Sequence, residues 1–134
     1  MVEVLAIVPA RGGSKRIPRK NIREFHGRPI IAYSIDAAQR TELFSAVYVS
    51  TEDKEISQVS KDLGASVINR SDELADDYTP TIPVVRHAIK EMESLNNQVN
   101  AVCCIYPTNP LLSSEDIVNG YQRLVAGSWD FVFS

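Results

Sequence analysis

Residues Glu3–Asn21 read EVLAIVPARGGSKRIPRKN, and the fold turns on how this stretch divides. Glu3–Pro9 is an apolar run with no polar face, ended by proline, and reads as a short parallel strand buried on both sides. The character then changes at once. Ala10–Asn21 holds two glycines, a serine and five cations in twelve residues, and predicts a loop that continues to Arg28. In open α/β sheets ligands bind at the carboxyl ends of the strands, which is where this loop leaves.

Outward from there, strand and helix patterns alternate. Pro29 is suited to the first position of a helix running to about Arg40, with Ile31, Ile35 and Ala38 on its apolar face. Ala46–Ser50 is a second strand. Asp53 can cap a helix carrying Ile56, Val59 and Leu63, which Gly64 ends, and Ser66–Asn69 is a third strand. Thr79-Pro80 opens the longest helix, whose expected buried stripe is Ile82, Val85, Ile89, Met92 and Leu95. Ala101–Tyr106 is a fourth strand. Ser113-x-x-Asp116 starts a helix with Ile117, Leu124 and Val125 inward and Gly127 at its end, and Asp130–Phe133 begins a fifth strand. Five strands alternating with four helices predict a doubly wound, Rossmann-like parallel α/β sheet in one domain over residues 1–134. The stop straight after the last strand leads us to expect the N-terminal part of a longer protein.

Composition narrows the function. At 44% hydrophobic and 23% charged residues, the chain matches ordinary globular proteins, and no apolar run approaches a membrane span. The arginines follow the first apolar stretch rather than precede it, so the N-terminus does not read as a signal peptide, and a cytoplasmic location is expected. Cys103 and Cys104 are sequence neighbours in an apolar run and read as buried core thiols. The net charge of −3 hides an asymmetry: seven cations against Glu24 give +6 between Arg11 and Arg28, leaving −9 elsewhere. An acidic body with one cationic loop fits a small polyanion and not nucleic acid in bulk.

The loop supplies the groups such an anion needs. Gly12 and Gly13 permit positive φ, so successive N–H groups can converge on a phosphate. Ser14 adds a hydroxyl, and Arg11, Lys15 and Lys20 add charge for a departing pyrophosphate. Pro18 restricts the loop. Neither G-x-x-x-x-G-K-[ST] nor G-x-G-x-x-G occurs, which excludes a P-loop ATPase and a dinucleotide-binding unit. His26-Gly27 reads as a turn, His87 as an ordinary helix histidine, and Asp76-Asp77 as a solvated loop.

Pro9–Asn21 is similar, almost letter for letter, to the signature of the CMP-sialic acid synthetase (acylneuraminate cytidylyltransferase) family. Val49-Ser-Thr51, Asn69-Arg70 before Glu73-Leu-Ala75, Thr79-x-Thr81 and Tyr106-Pro-Thr-Asn-Pro110 match in order. The Thr79–Ala88 and Cys103–Pro107 stretches look most like the pseudaminic acid branch, with Tyr106 where the sialic acid branch tends to have glutamine. The resemblance implies a sheet of the nucleotide-diphospho-sugar transferase type. It also implies attack by the anomeric hydroxyl of an acidic nine-carbon 2-keto sugar on the α-phosphorus of CTP, releasing pyrophosphate. Matched onto this chain, Arg11 and Lys20 stabilise charge and Gly12, Gly13, Ser14 and Lys15 cradle the phosphates. Ala10, Asn21, Arg70, Thr79 and Thr81 face the cytosine or ribose. From the residues alone, Arg70 can also be read as an exposed charge preceding a helix, Asn21 as a turn residue and Thr79 as a helix cap. The family uses Mg²⁺ held by an Asp-x-Asp segment far toward the C-terminus. That segment is absent from these residues, and Thr108 stands where related sugar-acid synthetases have a ligand aspartate, so no metal ligand is expected here. The family is also dimeric at full length. A non-catalytic CTP-binding module, or a cytidylyltransferase for another 2-keto sugar acid, stays open.

Overall fold

A computed structural model describes residues 2–134; Met1, included in the expected domain, lies outside them. Strand β1 (Val2–Pro9) is central. It pairs in parallel with β4 (Ala46–Thr51) on one side and with β6 (Gln98–Cys104) on the other, and β5 (Ser66–Asn69) extends the sheet beyond β4. The order is therefore β5-β4-β1-β6, four parallel strands, with registers such as Val8↔Val49 and Ala6↔Cys103. The connection after β1 turns to the β4 side while β6 returns on the opposite side, so β1 is where the winding reverses.

The two faces of β1 seed two cores, because successive side chains point to opposite sides. Ala6 and Val8 join Ile31, Ile35 and Ala38 of α1 (Ile31–Arg40), Ile56 of α2 (Lys54–Asp62) and Ile117 of α4 (Ser114–Ala126). Leu5 and Ile7 join Ile68 and Ala88 and Met92 of α3 (Thr81–Ser94). Leu5, Ile7 and Val8 are wholly buried, each worth about 1.5–3 kcal/mol of transfer free energy. Helices on both faces make the doubly wound α/β fold expected from the sequence.

Several expectations are corrected. Pro29 does not open α1; it lies in the short antiparallel pair β2 (Glu24–Phe25) and β3 (Arg28–Pro29), joined by His26 and Gly27 at φ 48° and 81°. Both residues are left-handed, as a tight two-residue hairpin requires, so the expected turn is present. Thr79 does not cap α3, which begins at Thr81 after Pro80, with Pro83 in its first turn where a missing N–H costs nothing. The inward face of α3 is Val84, Ala88 and Met92, whereas Ile82 and Leu95 are each 65% exposed. Packing on β1 and β6 selected small Ala88 at the closest approach, which apolarity alone does not rank. Val125 is likewise exposed on α4, and Cys104 is exposed because β6 is an edge strand. Cys103 is half-buried, and burial pushes its thiol up to about 11, so it is an inert thiol at neutral pH. Asp130–Phe133 forms no strand. Phe131 and Phe133 stack on each other in the open, since a strand exists only through the ladder of a neighbour.

Candidate phosphate-binding site

The cationic loop begins as an extension of the sheet. Ala10, fully buried, donates its N–H to Ser50 O at 2.9 Å, one residue past the end of β1. The chain then turns across the C-terminal end of β4 and is fastened there. Gly12 N–H donates to Glu52 Oε1 at 2.6 Å, and buried Asn21 donates from Nδ2 to Arg11 O at 2.8 Å. Arg19, in the left-handed region at φ 55°, donates to both oxygens of Asp53 at 2.7 Å and to Glu55 Oε2 at 2.7 Å. Asp53 meanwhile caps α2 by accepting from Ile56 N–H at 2.9 Å, as its place before the helical pattern predicts.

The glycines work differently from the expectation. Neither Gly12 nor Gly13 is left-handed. Gly12 is required by close approach: a Cβ there would sit 2.6 Å from Asp53 Oδ2 and 2.8 Å from Asp53 Cβ. Any side chain would lift the loop off α2. With Gly12 N–H given to Glu52 and Ser14 N–H to Gly12 O, the loop amides do not all converge on one point.

Asp53 also sets an acid limit on stability. The Arg19 guanidinium and the N–H of Ile56 hold its carboxyl down to about 2, below the ordinary 3.8. Because the folded value is the lower one, the contribution is complete above the unfolded pKa and fades as pH falls toward the folded one. At most about 2 kcal/mol is involved, since the pair is partly exposed. Asp53→Asn, which keeps a cap acceptor but loses the charge, should be less stable than wild type at about pH 5 and equal to it near pH 2. Urea unfolding at both values checks this; a gap that persists in acid would deny the pairing its role.

Arg70 decides the electrostatics. It was open whether this residue is an exposed charge, and it is only 5% exposed. Its backbone N–H extends the β4 pairing to Thr51 O at 3.0 Å, and its guanidinium donates only to uncharged acceptors: Ser50 Oγ, Ser50 O and Leu74 O at 3.2–3.4 Å. Among the described residues no carboxylate pairs with it directly. Burial lowers its pKa, attraction from Glu52 opposes that, and the Arg11 cation lowers it further. A buried guanidinium without an ion pair, beside a second arginine, is a costly arrangement that an anion would relieve.

The second of these arginines is held by an aspartate. Asp77 pairs with Arg11 and, at 2.6 Å, with Lys15, and these two cations hold its carboxyl below the usual range. The neighbouring Asp76 accepts from Tyr78 N–H, Thr79 N–H and Thr79 Oγ1, so both carboxylates lie on the exposed loop that the sequence implies but are engaged by donors there. Asp77→Asn should free Arg11 and Lys15 and tighten triphosphate binding severalfold, a gain that vanishes in high salt. Calorimetric titration at two ionic strengths measures it, and unchanged affinity would mean that a ligand does not compete with Asp77.

Of the residues singled out from the sequence, Ala10, Arg11, Gly12, Ser14, Lys15, Asn21 and Arg70 thus meet at one corner, above β1 and β4. Thr79 joins through Asp76, and Thr81 is the first residue of α3. Lys20 is exposed in the 3-10 turn Lys20–Ile22, without an ion-pair partner among the described residues. Sequence reading missed Glu52 as well as the Arg19–Asp53–Glu55 clamp. The signal available was the acidic run Glu52-Asp53-x-Glu55 as the counterpart of a +6 loop. Among the described residues no three His, Cys, Asp or Glu side chains gather to hold a metal. Asp76 and Asp77, the acids beside the loop, are engaged by donors and cations.

A model of the family described as cytidylyltransferase matches residues 5–132. The chain belongs to the cytidylyltransferase family. Among curated relatives, the pseudaminic acid cytidylyltransferase of Campylobacter jejuni (serotype O:2) is 42% identical over 131 residues, covering 97% of this chain and 56% of that protein. The N-acylneuraminate cytidylyltransferase A of Danio rerio is 34% identical over 131 residues, covering 98% and 30%. The chain thus spans about half the length or less of these curated relatives. Among solved structures, a CMP:2-keto-3-deoxy-manno-octonic acid synthetase complexed with CTP superposes with a TM-score of 0.77 at 20% identity, over 92% of this chain and 48% of that one. That likeness establishes the nucleotidyltransferase type of fold. In this cytidylyltransferase chain no described helix is long and apolar enough to cross a membrane.

Proposed function

We propose that residues 1–134 are the N-terminal, CTP-binding unit of a longer cytidylyltransferase that activates a nonulosonic sugar acid, of the pseudaminic or sialic type, as its CMP derivative. The observation that carries this is the buried Arg70, without an ion-pair partner among the described residues, beside Arg11, which itself shares Asp77 with Lys15. Two relatives named for pseudaminic and N-acylneuraminic acid support the acceptor class.

In the proposed reaction the anomeric hydroxyl of the sugar acid forms a P–O bond to the α-phosphorus and the bond to pyrophosphate breaks. This demands alignment and charge neutralisation rather than covalent help from the protein. Arg11 and Lys20 take the charge developing on the phosphates; Ser14, Lys15 and the Gly13 N–H bind the β and γ groups, with Gly12 letting the loop lie close on Asp53. Ala10, Asn21, Arg70, Thr79 and Thr81 border the base and ribose. Mg²⁺ is part of the proposal as the partner of the triphosphate, held by residues other than those described. A cytoplasmic homodimer is the proposed form of the whole enzyme.

Base choice tests the reading, since the cations treat all four triphosphates alike. Cytosine offers an amino donor where uracil has a carbonyl, so a fixed acceptor left unpaired by uracil costs about 1–3 kcal/mol. CTP should bind roughly tenfold or more tightly than UTP. Calorimetric titration of the 134-residue chain measures both. Equal affinities would refute the pocket.

A further inference from the structure

Glu52 has no part in the functional reading, yet it stands at the joint between β4 and the loop. Its Oε1 accepts the Gly12 N–H at 2.6 Å, short for an amide donor and in keeping with a charged acceptor. The carbonyl of the same peptide unit, Arg11 O, accepts from Asn21 Nδ2 at 2.8 Å. Both polar ends of the Arg11–Gly12 peptide are therefore tied to side chains, on a segment that belongs to no helix or strand. Asn21 is buried, and the second oxygen of Glu52 is buried without a hydrogen-bond partner. A carboxylate kept half out of water with one oxygen unpaired is costly.

We infer that Glu52 is the positioning residue for the phosphate loop: by holding the Arg11–Gly12 peptide in one orientation, it fixes where the Arg11 side chain starts and leaves the Gly13 N–H for the nucleotide. This rests on the CTP reading above. The geometry agrees with it in two ways. Gly12 lies flat on Asp53, so the plane of that peptide has little room to turn, and among the described residues no acceptor takes the Gly13 N–H. The negative charge of Glu52 is offset by its attraction to Arg70, so it does not simply repel a phosphate. Without Glu52, the loop would keep its cations but lose the orientation they share, and ordering it would fall to the ligand.

The test uses the whole 134-residue chain, ¹⁵N-labelled, with CTP as the probe. Glu52→Ala should weaken CTP binding about tenfold and move the Gly12 amide proton resonance upfield. Glu52→Gln, which retains a carbonyl acceptor, should bind within about threefold of wild type and keep most of that shift, which a general loss of packing would not restore. Both variants should melt close to wild type. Unaltered CTP affinity in Glu52→Ala, or an unmoved Gly12 resonance, would overturn the inference. A wild-type chain that ignores CTP would instead remove the nucleotide reading, while the Gly12 resonance still decides whether Glu52 holds the loop.

Discussion

Arg11→Ala is expected to slow the complete enzyme about a hundredfold while leaving its fold unchanged. The side chain is partly exposed, its hydrogen bonds and ion pairs among the described residues are with Gly13 O and Asp77, and Asp77 keeps Lys15 when Arg11 is gone. Substitutions of that kind alter stability by about 0.5 kcal/mol or less. The loss of one charge contact made in the transition state costs about 3 kcal/mol, which is the hundredfold. The effect should fall on kcat more than on KM, because the charge on the leaving pyrophosphate grows as the bond breaks. Steady-state kinetics with CTP, beside thermal melts, give both halves of the expectation. A variant that folds and turns over at the wild-type rate would take Arg11 out of the mechanism.

Arg70→Met is expected to separate stability from binding. Methionine fills most of the volume and removes a buried charge that has no ion-pair partner among the described residues, a change that is often neutral or stabilising. Against that gain, Ser50 Oγ loses its donor and Glu52 loses the attraction of Arg70, while Ser50 O still accepts from Ala10 N–H at 2.9 Å and Leu74 O is only part-buried. The melting temperature should therefore stay close to that of the wild type. CTP affinity should drop about a hundredfold, or about 3 kcal/mol, because Arg70 borders the ribose in the proposed reading and its desolvated charge acts on the triphosphate beyond with far less screening than a surface lysine. Differential scanning calorimetry and titration on the same samples decide it. A destabilised variant that still binds CTP well would make Arg70 a structural residue and nothing more.

Much of the site was legible because its groups are contiguous. Arg11, Ser14, Lys15 and Asn21 lie within one loop, and a strand in front of them tells where that loop must leave the sheet. Arg70 was legible as a charge but not as a buried one, since burial depends on Ser50 and Leu74, far from it along the chain or across a turn. The pairing of Asp77 was not legible, because nothing local predicts that residues 66 positions apart will meet. Gly12 was assigned the wrong reason: a glycine reads as a left-handed turn by default, while the cause here is the carboxyl of Asp53 pressed against its Cα.

The sequence by itself determined the alternation of elements and the central place of Glu3–Pro9. It also determined the cationic loop at that strand's carboxyl end. Hydrophobic period and glycine, proline and capping residues act over a few neighbours, so they are written locally. The tertiary structure alone decided which face of α3 turned inward, that Asp130–Phe133 found no ladder, and that Glu52, Asp53 and Asp77 came to the loop. Those outcomes depend on what lies opposite in space. A ladder needs a neighbour and a buried charge needs its surroundings, and neither has a counterpart in the spacing of residues along the chain.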